Sequence, residues 1–211
     1  MRAWKDSSSE TNPIRAGVRL MESLPILADN NPSRPRQSSV KGALNEVTLA
    51  GDFAQFGVYR GKSARIIHRM MSGDRRLHLF DSFEGLPENW TPQKPAGHFK
   101  LAPDEIPTFE GDNVIIHKGW FKDTVPQWAG TLSAPLAFLH IDADLYSSTV
   151  DVLFNLNDAI VPGTIILFDE YVLGRSDDEH RALLDWAAKF GRKFDYLWRT
   201  SGAQVCIRIT A

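Results

Sequence analysis

The sequence predicts an α/β fold, a doubly wound, seven-stranded mixed sheet that closes on an antiparallel C-terminal hairpin. Three observations carry this. From Gly51 onward, short apolar runs alternate with helix-like segments, as βαβ units require. Two runs, residues 136–141 and 164–168, end abruptly in carboxylates, Asp142-Ala143-Asp144 and Asp169-Glu170. Short apolar runs bounded in this way read as strands buried on both faces. The last two runs, residues 194–198 and 204–209, are separated only by the few residues around Ser201-Gly202. That is too short for a parallel crossover, so they must pair antiparallel at a sheet edge.

Taken in order, residues 1–13 are polar and serine-rich and read as a mobile tail. Residues 14–27 carry Val18, Met21 and Leu24 at helical spacing, and residues 30–39, rich in Pro, Ser and Arg, read as a loop closing this segment. Such a front piece can cap a cleft or meet a second subunit in a homo-oligomer, and the sequence leaves both open. Residues 53–57 form the first strand, followed by a glycine-containing turn and a helix over residues 62–71. Residues 77–80, 114–117, 136–141 and 164–168 are strands two to five. Between the fourth and fifth, Ser147, Ser148 and Thr149 offer helix caps, Val150, Leu153 and Phe154 an inner face, and Pro162-Gly163 a stop. A helix carrying Ala182, Leu183, Trp186 and Ala187 precedes the terminal hairpin. Residues 83–112, proline-rich and containing Trp90, His98 and Phe99, are long for a connection. Connections of this length are lids over substrate or tolerated surface insertions.

Composition argues against several functions. The 211 residues suffice for one domain with a full core. A formal net charge of -2 leaves no electrostatic footprint for nucleic acid or an anionic membrane surface. Cys206 is the single cysteine, which rules out a disulfide framework, and its place in an apolar run predicts burial. No apolar stretch reaches the roughly 20 residues that span a bilayer. The first residues lack the apolar core of a signal peptide, so a cytoplasmic protein is expected.

In open α/β sheets ligands bind beyond the carboxyl ends of the strands, which brings Asp142, Asp144, Asp169 and Glu170 to one rim. Like charges this close raise one another's pKa unless a cation or a shared proton compensates, and Mg²⁺ does so with carboxylate, water and substrate oxygens. Ordinary polar strand ends have the same composition.

The turn after the first strand, Gln55-Phe56-Gly57-Val58-Tyr59-Arg60-Gly61-Lys62-Ser63, is near two phosphate-binding motifs and fits neither. A P-loop needs four residues between its glycines, whereas Gly57 and Gly61 enclose three. The dinucleotide fingerprint needs glycine where Tyr59 stands. A cofactor without phosphates relaxes both demands. The acidic-x-Gly-x-Gly-x-Gly pattern of S-adenosylmethionine-dependent methyltransferases is present with Gln55 in the acidic place and Tyr59 in the middle glycine place, and Arg60 can address a methionine carboxylate. A plain strand-turn-helix glycine explains the motif as well. Asp81, ending the second strand, can accept from both ribose hydroxyls, or cap a turn beside Ser82. A seven-stranded sheet with one reversed strand is also the arrangement of class I methyltransferases.

Five blocks, in order, resemble the macrocin O-methyltransferase family: Gly51 through Gly61, Asp81-Ser82-Phe83-Glu84-Gly85-Leu86-Pro87, Lys118-Gly119-Trp120-Phe121-Lys122-Asp123-Thr124, Asp142 through Thr149, and Pro162-Gly163 through Asp169-Glu170-Tyr171. The resemblance implies a methyltransferase domain over residues 40–211, behind a tail, helix and loop over residues 1–39. It implies S-adenosyl-L-methionine as cofactor, with Gly57 and Gly61 at its methionine, Asp81 at its ribose and Gly119, Trp120 and Phe121 near its adenine. Gln55, Tyr59, Arg60, Ser63, Ser82 and Asp142 complete that site. It further implies Mg²⁺ held by Asp142, Asp169 and Glu170, and Asp144 as general base. Three departures stand out: Gln55 replaces a usual Glu, Glu170 a usual Asp, and little sequence precedes the first block, so the family's antibiotic-sugar substrates are not carried over.

The implied reaction is transfer of a methyl group to a hydroxyl of a small molecule or sugar. The hydroxyl must lose its proton, which a divalent ion and Asp144 together promote. His140 and His117 are alternative bases, although histidines inside apolar strands are usually core groups. Two rivals remain, a catalytically silent nucleoside-cofactor-binding module and a nicotinamide-dependent oxidoreductase; the missing third glycine and the edge hairpin argue against the second.

Overall fold

Alternate residues of a strand face opposite sides of a sheet, and here both sets are apolar. In the computed structural model, which describes residues 19–28, 31, 33–172 and 176–211, seven strands follow from this: β1 (Asp52–Phe56), β2 (Leu77–Asp81), β3 (Val114–Lys118), β4 (Leu136–Ile141), β5 (Ile165–Phe168), β6 (Phe194–Arg199) and β7 (Val205–Ile209). They form one sheet in the order β3-β2-β1-β4-β5-β7-β6. Pairs from β3 across to β5 are parallel, and β7 is antiparallel to both β5 and β6, as the short hairpin connection demands.

Among the described residues, five helices of nine or more residues flank the sheet: α1 (Pro35–Asn45), α2 (Lys62–Met70), α3 (Phe121–Ala129), α4 (Tyr146–Asn155) and α5 (Asp178–Phe190). One face packs Phe56, Leu139, Ile166 and Phe168 against Val125 and Trp128 of α3, Val152 and Leu153 of α4, and Leu183 and Trp186 of α5. The other face packs Phe53, Leu79, Phe138 and Leu167 against Val40 and Ala43 of α1 and Ala64 and Ile67 of α2. Each fully buried large side chain contributes about 1.5–3 kcal/mol. Cys206, in β7, is fully buried in the second core, as its apolar setting predicted.

Two expectations are corrected. Residues 30–39 are not one loop, because the chain is helical from Pro35, and the segment boundary placed after Ser39 falls inside α1. Pro35 takes the first helical turn, where a missing N–H leaves no bond unmade. Gly42 suits the middle of α1 because a Cβ there would lie 2.8 Å from Leu27 Cδ1. Ser147, Ser148 and Thr149 do not cap α4: Leu145 is its N-cap, and Thr149 Oγ1 donates back to the Leu145 carbonyl.

Residues 19–23 are helical, with Met21 buried in the first core; the rest of the expected helix, residues 14–18, and the tail over 1–13 lie outside the described residues. Ile26 then forms a parallel bridge to Arg199, so this segment pairs along β6. Among the described residues, no helix is long and apolar enough to cross a membrane.

Candidate active site

β1 lies between β2 and β4, so the connections wind in opposite directions from the β1/β4 pair and leave a crevice beyond their carboxyl ends. A cavity of about 730 Å³ opens there, the size of a small-molecule site. Its walls are the turn after β1 (Gly57, Val58, Tyr59), the end of β2 (Asp81, Ser82), the turn after β3 (Gly119, Trp120, Phe121, Lys122) and the turn after β4 (Asp142, Ala143, Asp144). Ser147, Ser148 and Asp151 of α4, Arg36, Glu170, and Gly85, Leu86, Pro87, Glu88, Lys94 and Phe99 of the long connection complete them.

The long connection is ordered locally by its own backbone bonds. Leu86 N–H donates to His98 O, Gly97 N–H to Leu86 O, and Leu101 N–H to Phe83 O. Phe99 reaches Tyr59 across the cavity mouth, ring centroids 5.6 Å apart.

Gly57 is required by close approach. Its φ is +87°, and a Cβ there would fall 2.0 Å from the Asp142 carbonyl oxygen, because Asp142 N–H donates to Phe56 O and ties the ends of β1 and β4 together. Asp81 fixes the other side of the turn: Oδ2 accepts from the N–H groups of Val58 (2.9 Å) and Tyr59 (2.8 Å), and Oδ1 from Phe83 (2.7 Å). An ionised carboxylate has about four acceptor sites, so capacity toward the cavity remains. Gln55, fully buried, donates from Nε2 to Gly57 O (2.7 Å) and Ser63 Oγ (2.8 Å). A carboxylate in its place would face the Gly57 carbonyl with no proton to give.

Of the residues expected to meet the cofactor, Gly57, Tyr59, Asp81, Ser82, Gly119, Trp120, Phe121 and Asp142 line the cavity, whereas Gln55, Arg60, Gly61 and Ser63 do not. Gly61 is left-handed at the start of α2 and packs against Pro107 and Phe109, and Arg60 ion-pairs with Glu105.

The four rim acids do converge. Asp169 is fully buried; burial works against its charge, but neighbouring His140 and Arg36 hold it below the usual carboxylate range. Arg36 is the nearer partner, with Nε 2.6 Å from Asp169 Oδ2, while His140 Nε2 stands 3.8 Å from Oδ1, beyond hydrogen-bond length. Burial and the Asp169 charge push Asp142 well above the usual carboxylate range. Glu170 is lifted to about 7 by burial and by Asp169, and Asp144 to about 6, chiefly by burial, with Lys94 and Arg36 opposing. Asp144 also sits in the left-handed region, φ +61°, which is uncommon for a side-chain-bearing residue outside functional turns.

The ligand atoms of His140, Asp142 and Asp169 all lie within 4.8 Å of one another. Two carboxylates and an imidazole suit a divalent ion, and both ring nitrogens of buried His140 and Oδ2 of Asp169 lack a hydrogen-bond partner. These atoms fit a bound cation. Glu170, expected as the third ligand, falls outside that compact group and pairs with Arg36 through Oε1 at 3.1 Å.

Two contributors to the site, Glu179 and Arg36, escaped the sequence reading. Glu179 of α5 is fully buried and accepts from Ala143 N–H (3.2 Å) and Glu170 N–H (3.1 Å), bracing the turns after β4 and β5 against each other. As an acid in a first helical turn it looks like an exposed dipole partner. Arg36 belongs to a stretch that reads as loop. His78 hydrogen-bonds His117 at 3.0 Å, and His117 stacks on Phe80 at 4.3 Å. His117, an alternative base by sequence, therefore sits outside the cavity wall.

A doubly wound sheet with a reversed penultimate strand, a glycine turn after β1, an acid ending β2 and acids beyond β4 and β5 defines the class I methyltransferase architecture. Solved structures share the fold: the calicheamicin methyltransferase superimposes with a TM-score of 0.73 at 19% identity over 96% of this chain and 93% of that one. The O-methyltransferase NovP gives 0.69 at 22% identity over 94% and 98%. The chain belongs to the macrocin-O-methyltransferase (TylF) family, whose pattern matches residues 22–182. It is 32% identical to an 8-demethyl-8-(2,3-dimethoxy-alpha-L-rhamnosyl)-tetracenomycin-C 4'-O-methyltransferase of Streptomyces olivaceus, covering 68% of this chain and 60% of the relative. It is 30% identical to a demethyldecarbamoylnovobiocin O-methyltransferase of Streptomyces niveus, covering 66% and 61%. The chain thus spans about three fifths of the length of the curated relatives it matches.

Proposed function

We propose that the chain transfers a methyl group from S-adenosylmethionine to a hydroxyl of a sugar or other small molecule, with Asp144 as general base and Mg²⁺ at Asp142 and Asp169. The observation that carries this reading is the meeting, in one crevice, of the Gly57 turn clamped by Asp81 with the buried acids after β4 and β5. Family membership and the named activities of the relatives support it.

When bound, S-adenosylmethionine supplies an electrophilic methyl group and a divalent ion supplies positive charge that eases loss of the hydroxyl proton. The chain's own residues do the rest. Backbone at Gly57 to Tyr59 and the turn from Gly119 to Phe121 line the cavity, and Asp81 ends β2, the strand between those that lead into them. Asp144, carrying a pKa of about 6, is ionised at neutral pH yet basic enough to accept a proton, the compromise a general base requires. Glu179 sets the spacing of the turns that carry Asp144 and Glu170. Leu86, Pro87 and Phe99 bring apolar surface to the cavity wall, which lowers the local dielectric around the transferring methyl group. Glu88, Lys94, Ser147 and Asp151 give the acceptor region polar contacts suited to a hydroxyl-rich molecule.

Calorimetry with S-adenosylhomocysteine, with and without Mg²⁺, tests the cofactor assignment. Stoichiometric binding that Asp81→Ala weakens at least tenfold is expected. Absence of binding alongside clear binding of a nicotinamide cofactor overturns it.

A further inference from the structure

We propose that Arg36 is a built-in competitor of the divalent ion: its guanidinium and the ion use the same carboxylates, and the ion loads by displacing it. The inference rests on the metal reading above and concerns how that site is filled.

Arg36 enters the acid cluster from α1, on a different part of the chain from every strand-end loop. Its Nε lies 2.6 Å from Asp169 Oδ2, and its Nη2 lies 3.1 Å from Glu170 Oε1 and 3.8 Å from Asp142 Oδ1. Asp142 and Asp169 are the carboxylates of the compact group that fits the ion, and Glu170 stands beside them. A guanidinium and a dication cannot share those oxygens, because they would repel at contact distance in a poorly screened site.

The two sides of the contact differ in how easily they part. The Asp169 side chain is 0% exposed and that of Glu170 11%, whereas the Arg36 side chain is 57% exposed. Arg36 reaches in from solvent and can return its charged head to water; the acids cannot follow. Its pairing with Asp169 Oδ2 is close but is not aligned as a hydrogen bond, so its one directed bond to the acids runs from Nη2 to Glu170 Oε1 and the bidentate fork that makes arginine–carboxylate pairs hard to exchange is not formed. Nothing in its own helix holds it either. Arg36 occupies the first turn of α1, where the dipole disfavours a cation, and that turn contains no acid.

Charge number favours exchange. One guanidinium faces Asp142, Asp169 and Glu170 directly, with Asp144 and buried Glu179 close enough to act on the same group of charges. A dication compensates such a cluster better than a monocation, and Arg36 keeps it folded until the ion arrives.

The test uses Mn²⁺ as a paramagnetic probe, titrated into the full chain and followed by the loss of the free-ion EPR signal. Arg36→Met, which keeps the apolar stem, is expected to bind Mn²⁺ at least tenfold more tightly than the unaltered chain, with Arg36→Lys between them. Adding Asp169→Asn to Arg36→Met should remove the gain. Arg36→Gln serves if the Met variant melts early. Equal or weaker Mn²⁺ affinity on loss of Arg36 overturns the competition and leaves the metal site standing. No Mn²⁺ binding by either chain, with S-adenosylhomocysteine binding intact, overturns the metal reading and this proposal together.

Discussion

Replacing Asp144 by Asn separates the chemical role proposed for this residue from its structural one. Its backbone is left-handed, φ +61°, a conformation Asn tolerates as well as Asp does, so the substitution removes the basic oxygen with little added strain. Loss of a general base lowers kcat by about 10²–10⁴-fold, while S-adenosylhomocysteine affinity should stay within a few-fold. Stability should move the other way. A carboxyl lifted from its ordinary 3.8 to about 6 by burial costs the fold up to about 3 kcal/mol once ionised. The folded state holds the proton more tightly than the unfolded chain, so Asp144 is harmless below pH 4 and destabilising as pH rises through 6. In chelator, Asp144→Asn should therefore raise the unfolding free energy at pH 7.5 and leave it nearly unchanged at pH 4. Denaturant titration at both pH values, with a methyl-transfer assay at pH 7.5, measures this. A variant that keeps wild-type turnover, or is destabilised at pH 7.5, refutes the assignment.

Three other perturbations have defined outcomes. Gly57→Ala places a Cβ 2.0 Å from the Asp142 carbonyl in a left-handed turn, so a loss of about 3 kcal/mol or more is expected in denaturant titration, together with weakened cofactor binding; an unchanged midpoint contradicts the close approach. Glu179→Ala strands the buried N–H groups of Ala143 and Glu170, costing about 2–4 kcal/mol and lowering turnover, and thermal melting checks the first part. Burial, reinforced by His78, pushes His117 down to about 4, so the unfolded chain binds the extra proton first and stability falls as pH drops below about 6.5. Allowing for its half-exposure this amounts to about 1–2 kcal/mol by pH 4.5; His117→Gln should flatten that slope, and an equal slope in the variant contradicts it.

The parts of the fold legible in the sequence are those governed by local rules. Alternation of apolar runs located all seven strands, and the length of the connection at Ser201-Gly202 alone dictated a reversed strand. The rim acids were legible because carboxylates that end buried strands have few places to go. α1 was not: its residues include two serines and a mid-helix glycine, and it is held by Val40 and Ala43 against the sheet and by the contact of Gly42 with Leu27, none of which is local. The Arg36–Glu170 contact spans 134 positions and leaves no trace in spacing or composition. The glycine turn was legible, but the division of labour within it was not: Gly57 and Tyr59 line the cavity, whereas Gln55 and Ser63 brace the turn from below and Gly61 starts α2.

The most direct test of the central claim is transfer of a labelled methyl group. The chain, methyl-labelled S-adenosylmethionine and a panel of sugars, glycosides and catechols are incubated together, and labelled product and S-adenosylhomocysteine are quantified by mass spectrometry. The account predicts an O-methylated product formed in equal amount with S-adenosylhomocysteine, suppressed at least a hundredfold in Asp144→Asn. Equal product from Asp144→Asn, or label found only on carbon or nitrogen acceptors, contradicts it.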